Sequence, residues 1–244
     1  MKIYGKNPVL ERIKANPRSV LKIYVQFGHP DHAYITTKAK KYGIPLVAVP
    51  ASKMTKLGRS LNTQGLLIDV EDFTYTDPDD LIDEAAAGKV TLLFLDGITD
   101  PQNFGAILRS VACLGGFAVV IPTHGAVEVT DTVTRVACGG ENYVKIAKVN
   151  NINTAIEKAK SKGIWIAASV LNDGDDVAGV KFPMPVALVI GSEGKGVRDI
   201  TLQRVDLKVT VPMAQPRLSL NAAHAATLLC YEIKKQKDQI ARQR

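Results

Sequence analysis

Six short apolar runs constrain the fold of this chain more than any other feature: Thr91–Leu95, Ala118–Ile121, Tyr143–Ile146, Ile164–Ser169, Val186–Ile190 and Leu207–Val211. Most are separated by stretches with helical periodicity. Strands that are apolar on both faces and alternate with helices predict a parallel, doubly wound sheet, with ligands at the carboxyl ends of its strands. The polar and Gly-rich stretches of this chain fall at those ends. The first 70 residues repeat the alternation on a smaller scale. Helical periodicity covers Pro8–Ala15, the region around Ala33–Lys41 and that near Ser52–Ser60, interleaved with the runs Leu21–Phe27, Pro45–Val49 and Gly65–Val70. This predicts a small α/β sandwich.

The 244 residues suffice for two such bodies, and charge suggests where they divide. Residues 1–70 hold 12 Lys/Arg against 3 Asp/Glu, a net +9; residues 71–88 hold seven acids and no base; residues 89–244 return to +5. We therefore expect domains at 1–73 and 89–244, joined by an acidic linker over 74–88. A +9 surface on so short a segment is the footprint of a polyanion binder. None of the apolar runs approaches the roughly 20 residues of a membrane span, and Lys2, Lys6, Glu11 and Arg12 interrupt the first apolar segment. The chain is expected in the cytoplasm, with no membrane partner. Cys113, Cys138 and Cys230 are odd in number, far apart and without a CxxC or His pairing, so they predict reduced core thiols and no metal site. The tail from Lys234 to Arg244 reads as a basic continuation of the last helix.

Three strand-end motifs carry the candidate chemistry. In LDGITDPQNFGAILRSVACLGG, residues 95–116, Asn103 stands where a helix N-cap is expected and Arg109 lies six residues further on. On one helix the two would be about 120° apart, so a shared site requires Asn103 in the turn. The plain alternative is a capping Asn and a surface Arg. In ALVIGSEGKGV, residues 187–197, a buried strand runs into Gly191, Gly194 and Gly196 around Glu193, which lets backbone approach a ligand. Neither a GxxxxGK[ST] loop nor GxGxxG is present. In VTVPMAQPRLSLNAAHAATLLCYEIKK, residues 209–235, Ser219 and Asn221 precede an Ala-rich helix, as caps or as site residues, and His224 has no evident partner inside it.

Together and in this order the three motifs resemble those of the SpoU (TrmH-like) family of the SPOUT superfamily, whose members are S-adenosylmethionine-dependent RNA ribose 2'-O-methyltransferases. The resemblance extends over almost the entire chain, because residues 1–70 are similar to the family's L30e-like substrate-binding domain. The nearest subgroup is the bacterial 23S ribosomal RNA guanosine 2'-O-methyltransferases. The resemblance implies a C-terminal trefoil knot, a homodimer, a ribosomal RNA substrate and S-adenosylmethionine as co-substrate without a metal. It assigns catalytic positions to Asn103, Arg109, Glu193, Ser219 and Asn221, and donor-binding backbone to Gly191, Val211 and Leu220. Two positions depart from the pattern: Gln215, followed by Pro216, replaces an expected Gly, and Asn142 in ACGGENYV, residues 137–144, stands where an acid is frequent. If the loop keeps the family's geometry, Gln215 takes a positive φ.

A ribose 2'-hydroxyl is a poor nucleophile facing a strongly electrophilic sulfonium methyl, so catalysis requires alignment and removal of one proton. The resemblance gives proton abstraction to Arg109, yet a guanidinium with a pKa above about 12 stays charged in water. Two roles are open: Arg109 transiently neutral in a dry site, or Arg109 charged and holding the adjacent phosphate. Asn103, Ser219 and Asn221 supply neutral donors and acceptors, and Glu193 would anchor Arg109 or its own loop. Methylation of transfer RNA and a non-catalytic, RNA-binding ribosome assembly factor are the alternatives.

Overall fold

The computed structural model describes residues 1–59, 61–215 and 218–243. The chain divides into two compact units, the first built from Met1–Thr74 and Glu128–Tyr143, the second from Tyr75–Val127 and the chain from Val144 onward. In the first, β1 (Lys2–Tyr4), β2 (Val20–Gln26), β3 (Leu46–Val49) and β4 (Leu66–Val70) form a mixed sheet in the order β1–β4–β2–β3. Helices α1 (Lys6–Ala15) and α2 (His32–Tyr42) bury Val9, Ile13, Ile35 and Ala39 against Ile3, Ile23, Val25 and Ile68. On the other face α3 (Ala51–Leu57) buries Met54 with Tyr4, Val49 and Leu67. The alternating strand residues thus serve two cores, as a half-sandwiched sheet requires. The helix expected near Ser52–Ser60 ends at Leu57 with Gly58 as its cap, and Ser60 lies outside the described residues.

The second unit opens on α4 (Pro78–Ala86), β5 (Thr91–Asp96), α5 (Pro101–Leu114) and β6 (Phe117–Pro122). The next stretch, with α6 (Asp131–Ala137), belongs to the first unit. The second then resumes with β7 (Lys145–Val149), α7 (Ile152–Ser161), β8 (Trp165–Ser169), β9 (Asp175–Asp176), β10 (Val186–Gly191), α8 (Asp199–Leu202), β11 (Leu207–Thr210) and α9 (Ala222–Arg242). Among the described residues its strands lie in the order β7–β6–β5–β10–β8–β11–β9, and every pairing is parallel. All six residues of β5 and of β10 are buried. From β5 the chain proceeds to β6 and β7 on one side, and β10 and β8 lie on the other. The carboxyl ends of β5 and β10 therefore mark the switch point where ligands bind open α/β sheets.

Three features differ from the expectation. Residues 74–88, read as a linker, contain α4, which is capped by Asp77 through Asp79 N–H (2.8 Å) and buries Leu81, Ile82 and Ala85 in the core of the second unit. Three of its acids are balanced locally: Asp79 pairs with Lys158 at 2.6 Å, Glu84 with Lys145 at 2.5 Å, and Asp83 with Lys162. The charge step marks a helix face. The strand expected at Tyr143–Ile146 begins only at Lys145, because Tyr143 closes a 3-10 turn and donates its hydroxyl to Glu11 at 2.7 Å. Of the three thiols only Cys230 is buried, and burial pushes its pKa far up; Cys113 is exposed.

Glu128–Tyr143 joins the first unit through polar contacts with distant residues. Lys2 N–H donates to Asp131 Oδ1 at 3.1 Å, and Arg135 stacks over Tyr4 at 6.0 Å. Arg12 on α1 is 4% exposed and donates to Ser19 Oγ at 3.3 Å and to Glu141 Oε1 at 3.1 Å; the Glu141 side chain is fully buried. Burial raises the Glu141 pKa above its ordinary value even though the Arg12 charge pulls the other way. Asn142, where an acid was expected, donates to Gly139 O at 2.8 Å and to Glu141 Oε1 at 3.0 Å. A second carboxylate beside Glu141 would repel it, whereas the amide adds a donor.

Candidate active site

The site grows from the adjacent ends of β5 and β10, where Gly191 stands opposite Asp96 in register. Past Gly191 the chain folds back at once. Ser192 N–H donates to Gly196 O at 3.2 Å, Gly196 N–H donates to Ser192 O at 2.8 Å, and Gly196 takes φ +66°. A Cβ on Gly191 would lie 2.0 Å from Gly196 C and 2.1 Å from Val197 N, so no other residue fits without moving backbone. The exit of the loop is clasped from below. Asp96 accepts from Arg198 Nε at 2.7 Å and Nη2 at 2.6 Å through Oδ1, and from Arg198 N–H at 3.2 Å through Oδ2. The Asp96 carboxylate is fully buried, which makes this charge-assisted pairing the fixed end of an otherwise exposed loop.

The first motif enters from α5. Its N-cap is Asp100, which accepts from Gln102 N–H at 2.9 Å, with Pro101 as the first helical residue. Asn103 is not the cap. It stands two positions into the helix, buried, and its amide is used at both ends: Nδ2 donates to Glu193 Oε1, and Oδ1 accepts from Asn221 Nδ2 at 3.2 Å. Asn221 in turn caps α9, accepting from His224 N–H at 2.9 Å. One residue from each motif is thereby joined in a single relay, and the choice between cap and site residue dissolves for Asn221, which is both. A site shared with Arg109 would have required Asn103 in the turn; Asn103 reaches the relay from the helix instead, because its side chain lies on the buried face of α5.

Beside the relay, a cavity of about 390 Å³ is lined by Gly191, Glu193, Gly196, Ser219 and Leu220, among others. Val211 follows the end of β11 and is not among the described residues of this lining. Arg109 is exposed on α5, six residues beyond Asn103, or about 120° around the helix and roughly 9 Å along its axis. The structure thus unites Asn103, Glu193 and Asn221 directly, sets Ser219 and Leu220 at the cavity, and leaves Arg109 further along α5. His224 is exposed. Gln215 is not among the described non-Gly residues with positive φ, and its carbonyl accepts from Leu218 N–H at 3.1 Å. Pro216 and Arg217 lie outside the described residues.

Residues 91–231 match the SpoU rRNA methylase family, and residues 2–76 match the RNA 2'-O ribose methyltransferase substrate-binding family. The chain belongs to the SpoU rRNA methylase family. YacO of Bacillus subtilis strain 168, whose name places it among TrmH family tRNA/rRNA methyltransferases, is 32% identical over 242 residues, spanning 98% of this chain and 96% of its own. The solved SpoU methyltransferase AviRb of Streptomyces viridochromogenes, in complex with the cofactor S-adenosylmethionine, has a TM-score of 0.79 at 22% identity, covering 98% of this chain and 90% of its own. The S-adenosylmethionine-bound rRNA methyltransferase of Sinorhizobium meliloti has a TM-score of 0.79 at 19% identity, covering 96% and 86%. Both structures share the fold.

This SpoU protein is accordingly an RNA methyltransferase, and the motifs that resembled the family are the ones its fold gathers at the switch point. Asp96 and Arg198 were missed in the sequence. The signal for Asp96 was present: a single carboxylate closes an otherwise apolar strand, LLFLD, and a buried charge needs a partner. Nothing in the sequence indicated that the partner lies 102 residues on. Among the described residues no helix of the methyltransferase is long and apolar enough to cross a membrane.

Proposed function

We propose that the protein transfers the methyl group of S-adenosylmethionine to a ribose 2'-hydroxyl of ribosomal RNA, with a 23S guanosine as the first target to test. The observation that carries this reading is the relay Glu193–Asn103–Asn221 at the mouth of a cavity floored by Gly191. The cavity lined by Gly191, Gly194, Gly196 and Leu220 fits an adenosine-bearing ligand, with backbone at Gly191 and Leu220 as its holders, and the close packing of Gly191 on Gly196 and Val197 fixes the loop that borders it. When bound, that donor supplies an electrophilic methyl. The 2'-substitution is supported by the substrate-binding family matched at residues 2–76.

In this reading Asn103, Ser219 and Asn221 orient the ribose through neutral hydrogen bonds, and Glu193 holds the Gly-rich loop to α5. Arg109 stays charged and clamps the phosphate beside the reacting ribose. The 2'-oxygen forms its bond to the methyl carbon as the sulfur–methyl bond breaks, and the hydroxyl proton leaves to water at the open mouth. The order β5–β10–β8–β11, with α9 returning to pack on α5 through the Thr227–Ser110 hydroxyl bond (2.7 Å), supports the knotted C-terminus. Leu228 and Tyr231, 45% and 58% exposed and three residues apart on α9, support a homodimer. The test is methyl incorporation from radiolabelled donor into ribosomal and transfer RNA, mapped to the ribose. Arg109→Ala should lower the rate by about 100- to 10,000-fold, and Arg109→Lys nearly as much, with donor affinity kept. An Arg109→Ala enzyme that keeps most of its ribose methylation would remove Arg109 from the mechanism.

A further inference from the structure

The first unit contains a second cavity, of about 730 Å³, between the loop that follows β2 and the loop that precedes β4. Its size is within the range of about 300–1,000 Å³ usual for ligand sites. Phe27 stands in it 62% exposed, yet is not loosely held: its N–H donates to Val49 O at 2.9 Å, which continues the β2–β3 pairing. The opposite wall is built under constraint. Gln64 adopts φ +50°, a region that costs a non-Gly residue of order 1 kcal/mol or more. Its Oε1 accepts from Lys6 N–H at 2.8 Å, and its N–H donates to Asn62 Oδ1 at 3.1 Å.

His29 staples the two loops. Its Nδ1 accepts from Asp31 N–H at 3.1 Å, so Nε2 carries the proton and donates to Gln64 O at 3.1 Å. The imidazole is thereby fixed between the two loops, and its side chain is only 7% exposed. A Cβ on Gly65 would meet His29 Cδ2 at 2.9 Å, which leaves glycine as the residue that lets the staple close. A strained glutamine, a doubly hydrogen-bonded histidine and a glycine therefore hold open a cavity beside an exposed aromatic ring. A ring so placed, within a segment carrying a net +9 and beside the Lys6 ammonium, which is half-exposed and pairs with Asp31 at 2.9 Å, matches how single-stranded nucleic acid is bound: a basic surface for the phosphates and an aromatic face for an unstacked base.

We infer that this cavity takes one unpaired nucleotide of the RNA, its base stacked on Phe27, and so distinguishes single-stranded from paired segments. The inference rests on the reading of residues 2–76 as an RNA-binding unit. It is tested with the full-length protein by fluorescence anisotropy on two probes, an unstructured 12-nucleotide RNA and a blunt 12-base-pair RNA duplex, each over a salt series. Phe27→Ala should weaken the single-stranded probe by roughly 5- to 150-fold, the range of base–aromatic stacking, and leave the duplex unchanged. Phe27→Tyr should restore single-strand binding. Unchanged melting temperature and donor binding in Phe27→Ala would show that the fold is intact. Equal losses on both probes, or no loss on either, would overturn the subsite while leaving RNA binding by this unit in place. Failure of the wild-type protein to bind either probe in a salt-dependent way would overturn the RNA-binding reading itself.

Discussion

In the first unit a guanidinium and a carboxylate, Arg12 and Glu141, are 4% and 0% exposed and face each other at 3.1 Å, with Glu141 Oε2 buried and unpartnered. In the second unit the carboxylate of the candidate site, Glu193, belongs to an exposed residue and is held by the neutral amide of Asn103. Burying an ion pair incurs a desolvation cost that the mutual attraction only partly offsets, and breaking it strands a charge in the interior. Such a pair suits a place where one arrangement has to be specified and kept. A relay of amides around a hydrated carboxylate can exchange partners with a ligand at small cost. The first unit thus spends its charges on holding Glu128–Tyr143 in place, whereas the second keeps its buried charge, Asp96, under the loop and leaves the working face adjustable.

The contrast is broken most severely at Arg12. Arg12→Met leaves Glu141 buried without its cation and should cost about 3–5 kcal/mol in chemical denaturation. Arg12→Met combined with Glu141→Leu should recover most of that loss, because an apolar pair of similar volume pays no desolvation. A double variant as unstable as the single one would show that the ion pair itself holds the segment.

A smaller effect is expected at Gly191, where the added methyl of Gly191→Ala meets backbone and not side chain. The strain should lower stability by about 1–3 kcal/mol and remove measurable S-adenosylmethionine binding in calorimetry, while salt-dependent RNA binding is retained. Donor affinity equal to wild type would show that the crevice lies elsewhere.

The smallest effect is a slope. The Glu141 pKa is raised in the folded state, so between its ordinary 4.5 and the folded value the native protein binds more protons than the unfolded chain. The contribution of this group is therefore full below about pH 4.5 and is lost as pH rises through the folded value. Melting temperatures of wild type and Glu141→Gln should diverge across that window, with the wild type falling relative to the variant. Parallel curves would show that Arg12 cancels the burial.

The apolar runs located nine of the strands because buried strands announce themselves by composition, as in VALVI and FAVVI. Short elements escaped: β1 has three residues, the first of them Lys2, and β9 is the pair Asp175–Asp176 on the sheet edge. The misplaced cap at Asn103 was avoidable, since Pro101 favours the first helical position and so designates Asp100. The relay was legible as three separate residue types but not as a contact, because 90 residues separate Asn103 from Glu193 and 118 separate it from Asn221. Arg12 illustrates the remaining gap. In sequence it is one more base in a basic segment, and only a partner 129 residues away turns it into an interior residue.

That separation also orders events during synthesis. The first unit is discontinuous, so its final contact waits until Glu141 has left the ribosome, by which time β5, α5 and β6 of the second unit have been made. A messenger cut after the first 74 codons encodes a sheet whose Arg12 has no carboxylate to meet. A gene divided at the charge step would part Arg12 from Glu141, so an exchange of the first unit between relatives keeps this pair only when the codons for Glu128–Tyr143 travel with it.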